Sequence, residues 1–194
     1  MRPSLMISLR WLAVAAALSA AMPAGAGPLE IVALGDSNTA GFPVGRRNAF
    51  PAIMEASLRG AGYDVKVSNR GISGDTTGGM LSRLDRAVPR GTTLAIVQGG
   101  YNDGRRGVSA RDRDANIDAI LKRLSARGVK VVLCGLSGAD WSAIARRHGA
   151  LLVPQSTCYD AASRGFDGLH MNRSGHRIVA SRLTPVIQRV LGRR

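Results

Sequence analysis

Leu29-Glu30-Ile31-Val32-Ala33-Leu34 runs straight into Gly35-Asp36-Ser37-Asn38-Thr39-Ala40-Gly41. Apart from Glu30 the first six residues are apolar, and a glycine closes the run, which predicts a buried strand. Gly35 permits a tight turn at the strand end. Ser37 then stands at a strand tip, close to the following helical turn, with its own backbone N–H pointing the same way. An Asp-Ser turn or a helix cap would use the same residues. The stretch is not a dinucleotide fingerprint, because the second glycine of G-x-G is missing.

Outward from this stretch, apolar runs alternate with helical patterns. Residues 47–58 have helical spacing and stop at Gly60-Ala61-Gly62. Residues 63–67 predict a strand, and 75–88 a helix that Asp75 or Thr76 can cap. Residues 93–97 predict a buried strand before Gly99-Gly100. Residues 111–126 form the clearest amphipathic helix, with Ile117, Ile120, Leu121 and Leu124 on one face and Gly128 as its stop. A strand over 129–133, a helix over 140–148 and a strand over 150–153 follow. Residues 174–191 close the chain as a helix with Ile178, Val179, Leu183, Val186, Ile187 and Val190 inward. Such alternation calls for an α/β fold, a parallel sheet covered on both faces. Five strands in the order 2-1-3-4-5 with right-handed crossovers are expected. Ligands bind beyond the carboxyl ends of such strands, near the switch in strand order. Ser37, Gly71 and Asn102 follow strands one, two and three.

Composition narrows the class. The chain has 194 residues, 45% of them hydrophobic, and 27 basic against 13 acidic residues. The net charge of +14 admits nucleic acid, anionic lipid or acidic glycans as partners. The arginines are spread along the chain without a long basic block or interleaved aromatics, which argues against nucleic acid. Transient contact with an anionic envelope surface is the expected use of the charge.

At the N-terminus, Arg2 and Arg10 precede an apolar run over 11–22, then Pro23 and Ala24-Gly25-Ala26. This is the layout of a cleaved secretory signal over residues 1–26, leaving one domain over 27–194. The run is too short to span about 30 Å of hydrocarbon. Periplasm or extracellular space is the expected destination. Cys134 and Cys158 could bridge in such a compartment, but two cysteines define no framework, and buried free cysteine is common.

Asp167-Gly168-Leu169-His170 is the second block with chemistry in it. A serine hydroxyl is a weak nucleophile until a base takes its proton, and the base needs a third group to hold it. Asp and His three apart on a loop can set the carboxylate against Nδ1 and free Nε2 for the serine. An exposed Asp and a surface His are the plainer alternative. His148 lies near a helix end, where it suits terminal carbonyls, and His176 lies inside the last helix. Asn69-Arg70-Gly71-Ile72-Ser73-Gly74-Asp75 and Gly99-Gly100-Tyr101-Asn102-Asp103 are the third and fourth blocks. Each suits an ordinary turn. Each could also aim a donor, the Gly71 N–H or the Asn102 amide, at an oxyanion beside Ser37.

These blocks together resemble the SGNH hydrolase family, also called the GDSL esterase/lipase family. Ile72-Ser73-Gly74-Asp75-Thr76-Thr77, Asn102-Asp103-Gly104-Arg105-Arg106-Gly107 and Asp167-Gly168-Leu169-His170-Met171-Asn172 are similar to the bacterial thioesterase I, lysophospholipase L1 and arylesterase branch. The resemblance covers residues 29–191. It implies a three-layer, flavodoxin-like SGNH fold and a serine esterase acting on carboxylic esters or thioesters through an acyl-enzyme. Ser37 would be the nucleophile, His170 the base, Asp167 its orienting partner, and Ser37, Gly71 and Asn102 the oxyanion hole. Asp36 and Asp103 would be structural. No metal or other cofactor is implied, and a monomer is expected. A carbohydrate O-deacetylase of the same family is the near alternative, and a non-catalytic glycan- or lipid-binding envelope protein the distant one. One departure is the brief segment Cys134 to Trp141, where the branch has a longer one that contributes to the acyl groove. An open cleft suited to short or aryl esters is therefore expected.

Overall fold

The computed structural model describes residues 27–192; the expected signal segment lies outside them. Five strands, β1 (Leu29–Gly35), β2 (Val65–Gly71), β3 (Thr92–Gln98), β4 (Lys130–Cys134) and β5 (Leu151–Val153), form one all-parallel sheet. Their order is β2-β1-β3-β4-β5, as expected from the alternation. The helices are α1 (Ser37–Ala40), α2 (Phe50–Gly60), α3 (Thr77–Ser82), α4 (Leu84–Ala87), α5 (Tyr101–Arg105), α6 (Ala110–Ser125), α7 (Ser142–Arg147), α8 (Gln155–Cys158) and α9 (Arg173–Leu191).

The central strand β1 shows why three layers form. Successive side chains point to opposite faces. Ile31 and Ala33 join a core with Phe50, Met54 and Leu58 of α2 and Val179, Leu183 and Ile187 of α9. Val32 and Leu34 join a second core with Met80, Leu84 and all four predicted α6 residues, Ile117, Ile120, Leu121 and Leu124. A strand buried on both faces reads as continuous apolar sequence, which is what made it legible.

The structure corrects several boundaries. β2 starts at Val65 and runs on through Ser68, Asn69 and Arg70 to Gly71. An edge strand tolerates polar residues, so its second half carries no apolar signal. The helix expected over 75–88 is two pieces. Gly78 and Gly79 weaken it, and Arg83 sits between the pieces with its guanidinium spent on the carbonyls of Gly35 and Arg70 and on Asp75. The helix expected from 140 begins at Ser142, whose N–H donates to the Asp140 carboxylate at 2.9 Å. Ile178 is only half-buried on α9. The short α1, α5 and α8, one turn or little more each, follow strand ends β1, β3 and β5 and had no periodicity to read.

Candidate active site

The parallel strands end on one side of the sheet, and the short helices begin there. Gly35 allows the close approach that starts α1: a Cβ there would lie 2.2 Å from Thr39 Oγ1 and 2.5 Å from the Gln98 carbonyl. Asp36 caps the turn, accepting the Asn38 N–H at 3.0 Å. Ser37 is thereby the first residue of α1, 7% exposed. It lines a cleft of about 320 Å³ together with Asn38, Tyr101, Asn102, Leu136, Leu169 and His170.

His170 reaches Ser37 from the far end of the chain. A hairpin joins Ser163 to Asn172: the Gly165 N–H donates to the His170 carbonyl at 2.7 Å, and Arg164 pairs antiparallel with Met171. At its tip Asp167 Oδ1 accepts the N–H groups of Leu169 at 3.0 Å and His170 at 2.9 Å. Its Oδ2 lies 2.6 Å from His170 Nδ1, and His170 Nε2 lies 2.9 Å from Ser37 Oγ. The hydrogen bond with the His170 ring, helped by the two backbone N–H groups, holds the Asp167 carboxyl at about 2. An ionised carboxylate only accepts, so Nδ1 carries the proton and Nε2 is free to accept from the serine. The Phe42 ring stands against the imidazole, centroids 4.8 Å apart at 74°.

The oxyanion side needs a correction. The Gly71 N–H donates to Asn69 Oδ1 at 3.0 Å, and the Asn69 amide in turn donates to the Thr39 carbonyl at 2.7 Å. Gly71 borders a separate depression with Phe42, Arg46 and Ile72. A Cβ at Gly71 would lie 2.1 Å from the Ala40 nitrogen, so glycine is needed there for packing under α1. The nearby Gly74, at φ +75°, makes no hydrogen bond through its N–H among the described residues. Its neighbour Asp75 accepts the Asn102 amide through its carbonyl at 2.9 Å. That bond uses one of two amide hydrogens and holds Asn102 at the cleft wall. Buried Asp103 accepts both the N–H and the hydroxyl of Thr77, at 3.0 and 2.5 Å, and Arg83 pairs with Asp75 at 2.7 Å. Both anchor the Gly74 loop. Asp36 and Asp103 are thus bonded as structural residues, and burial pushes the Asp36 carboxyl up to about 6.

Cys134 and Cys158 form a disulfide that ties the end of β4 to α8, with Cys158 on the cleft wall. His148 bonds Asp118 at 3.0 Å. Buried His176 accepts the Phe50 N–H at 3.3 Å, and burial lowers it to about 4. Neither histidine lines the cleft. Sequence reasoning missed Phe42, and within the third block it missed the roles of Asn69 and Gly74. An aromatic residue just after the serine block and an asparagine in an edge strand carry no pattern that would single them out.

Residues 33–178 match the GDSL-like lipase/acylhydrolase family. The chain belongs to that family. Among GDSL relatives, the esterase TesA of Pseudomonas aeruginosa PAO1 is 30% identical over 134 residues, 66% of this chain and 67% of that protein. The arylesterase of Vibrio mimicus is 34% identical over 105 residues, 54% of this chain and about half, 52%, of its own length. The crystal structure of the psychrotrophic esterase EstA from Pseudoalteromonas sp. superposes with a TM-score of 0.73 at 21% identity, covering 84% of this chain and 98% of that one. That likeness establishes the SGNH fold. Membership of the GDSL family makes the chain a hydrolase acting on ester bonds.

Proposed function

We propose that the chain is an exported serine esterase whose nucleophile is Ser37, and that it favours short-acyl or aryl esters. The observation that carries this reading is the continuous relay Asp167–His170–Ser37 at 2.6 and 2.9 Å, opening into the cleft. Ser37 Oγ attacks the acyl carbonyl while His170 Nε2 takes its proton. Asp167 stabilises the imidazolium by accepting from Nδ1. His170 then returns the proton to the departing alcohol, and water repeats the sequence to release the acid. On this reading the developing oxyanion is taken by the Ser37 N–H, the second Asn102 hydrogen and, in place of the engaged Gly71 N–H, the Gly74 N–H, which has no partner among the described residues.

Three features support the finer parts. The cleft of about 320 Å³ is at the small end for ligand sites, and Leu136 of the brief segment after β4 forms part of its wall. The disulfide suits an oxidising compartment. Phe42, Ile72, Tyr101 and Phe166, four large apolar residues exposed at 45% to 88%, flank the site, which suits transient contact with an anionic envelope surface given the chain's excess of basic over acidic residues.

The test is hydrolysis of p-nitrophenyl acetate, butyrate, octanoate and palmitate by the mature protein, with Ser37→Ala and His170→Ala alongside. Acetate and butyrate are expected to be preferred, with kcat falling on the order of 10³-fold or more in each variant. Activity surviving in Ser37→Ala would overturn the site, and a preference for palmitate would overturn the short-acyl reading.

A further inference from the structure

The cleft wall carries one permanent cation among the described residues, Arg164. Its side chain is anchored at one nitrogen and its backbone is held separately. Nε donates to the Tyr159 hydroxyl at 3.2 Å, and that hydroxyl donates to the Leu169 carbonyl at 2.7 Å. Its backbone is held across the hairpin, pairing with Met171 and accepting the Asn172 amide at 3.2 Å. The two terminal nitrogens of the guanidinium make no hydrogen bond or ion pair among the described residues. Among the described residues the one carboxylate on the cleft wall is Asp36, which is 1% exposed. Arg164 is exposed, and a guanidinium anchored at Nε with its terminal fork unspent matches the two oxygens of an anionic group.

The hairpin also says which part of a substrate meets that fork. Arg164 is bound through Tyr159 to Leu169, next to His170. His170 must stand beside the alcohol oxygen that departs, because it delivers the proton there. The oxyanion donors come from α1, α5 and the Gly74 loop instead. We propose that Arg164 is the specificity-determining residue of an anion subsite on the alcohol side of the cleft, so that preferred substrates are esters whose alcohol carries a carboxylate or a phosphate-type group. This rests on the serine esterase reading and names the substrate class of the same site.

The experiment compares acetate esters of three phenols: 3-carboxyphenyl, 3-phosphonophenyl and the uncharged 3-carbamoylphenyl. Each rate is divided by its hydroxide-catalysed rate, so that leaving-group chemistry cancels. For the wild type, kcat/KM for at least one anionic ester is expected to exceed that for the carbamoyl ester by about tenfold, the size of one charge-assisted hydrogen bond. The larger of the two anionic ratios identifies the group preferred. Arg164→Gln is expected to bring both ratios close to one, and Arg164→Lys to retain part of the preference. Arg189→Gln, on the last turn of α9, lowers the net charge equally and is expected to keep the ratios. Equal rates for all three esters in the wild type, or ratios unchanged in Arg164→Gln, would overturn the subsite. Turnover of the carbamoyl ester that disappears in Ser37→Ala would leave the esterase reading standing in either case.

Discussion

Phe42 meets the His170 imidazole edge to face, with ring centroids 4.8 Å apart. Asp167 fixes that ring through one nitrogen, and Phe42 limits its rotation from the side. Aromatic pairs of this geometry contribute about 0.5–1.5 kcal/mol beyond the area they bury. Phe42→Ala is therefore expected to lower kcat by roughly three- to tenfold. Phe42 is 45% exposed, so the thermal midpoint should move little. Steady-state kinetics and a melting curve on the same sample check both halves; an unchanged kcat would show that Asp167 alone orients the base.

Gly71 serves packing, and that has a consequence for stability. Its Cβ would meet the backbone of α1, with the Ala40 nitrogen at 2.1 Å and the Thr39 carbonyl carbon at 2.6 Å. Neither can rotate away. Gly71→Ala should destabilise by about 2 kcal/mol or more and disturb the helix that begins at Ser37. Urea unfolding measures the first effect. A variant as stable as the wild type would mean that α1 can shift without cost.

Asp36 sets a pH dependence of stability with a definite sign. Its ordinary value is 3.8, and burial raises it to about 6 in the folded protein. Between those values the folded chain holds a proton that the unfolded chain has lost, so this group's cost to stability is absent below pH 3.8 and complete above pH 6. Asp36→Asn keeps an oxygen for the Asn38 N–H and removes the charge. It should be more stable than the wild type at about pH 8, by on the order of 2 kcal/mol, with the gap closing as pH falls toward about 4. His176, lowered from 6.5 to about 4 by burial, acts in the same way in both proteins and cancels in the comparison. A gap that does not change with pH would refute the assignment.

The disulfide links positions 24 residues apart. Closing a loop of that length stabilises by about 3 kcal/mol through the unfolded chain. Cys134→Ala/Cys158→Ala should lose about that much. Because Cys158 borders the cleft, the double variant should also raise KM for p-nitrophenyl butyrate. Denaturation of the oxidised, reduced and double-variant proteins separates the cross-link from the side-chain change; equal stability in all three would make the bond incidental.

Much of this protein was decided by local sequence. The strand over Leu29 to Leu34, the amphipathic face of α6 and the glycine stops carry periodicities set by backbone geometry, so the sheet order and much of both cores are legible in the residues themselves. Ser37, Asn102, Asp167 and His170 stand in strand-tip or hairpin blocks that each suit an ordinary turn, and it was the resemblance of the blocks taken together that singled them out; the structure brings Ser37, Asp167 and His170 into one relay. What the tertiary structure decided was which groups are already engaged. Gly71 sits in the block expected of an oxyanion donor, yet Asn69 takes its N–H and α1 fills the space above it. Phe42 and Arg164 matter through partners distant in sequence or across a hairpin, and Asn69 joins a local bond to Gly71 with a distant one to Thr39. The broken helix at Arg83 likewise follows from carbonyls on β1 and β2. Periodicity reports the face that a residue buries. It does not report which donor is left unpaired at the end of a sheet, because that depends on contacts made only after the chain has closed.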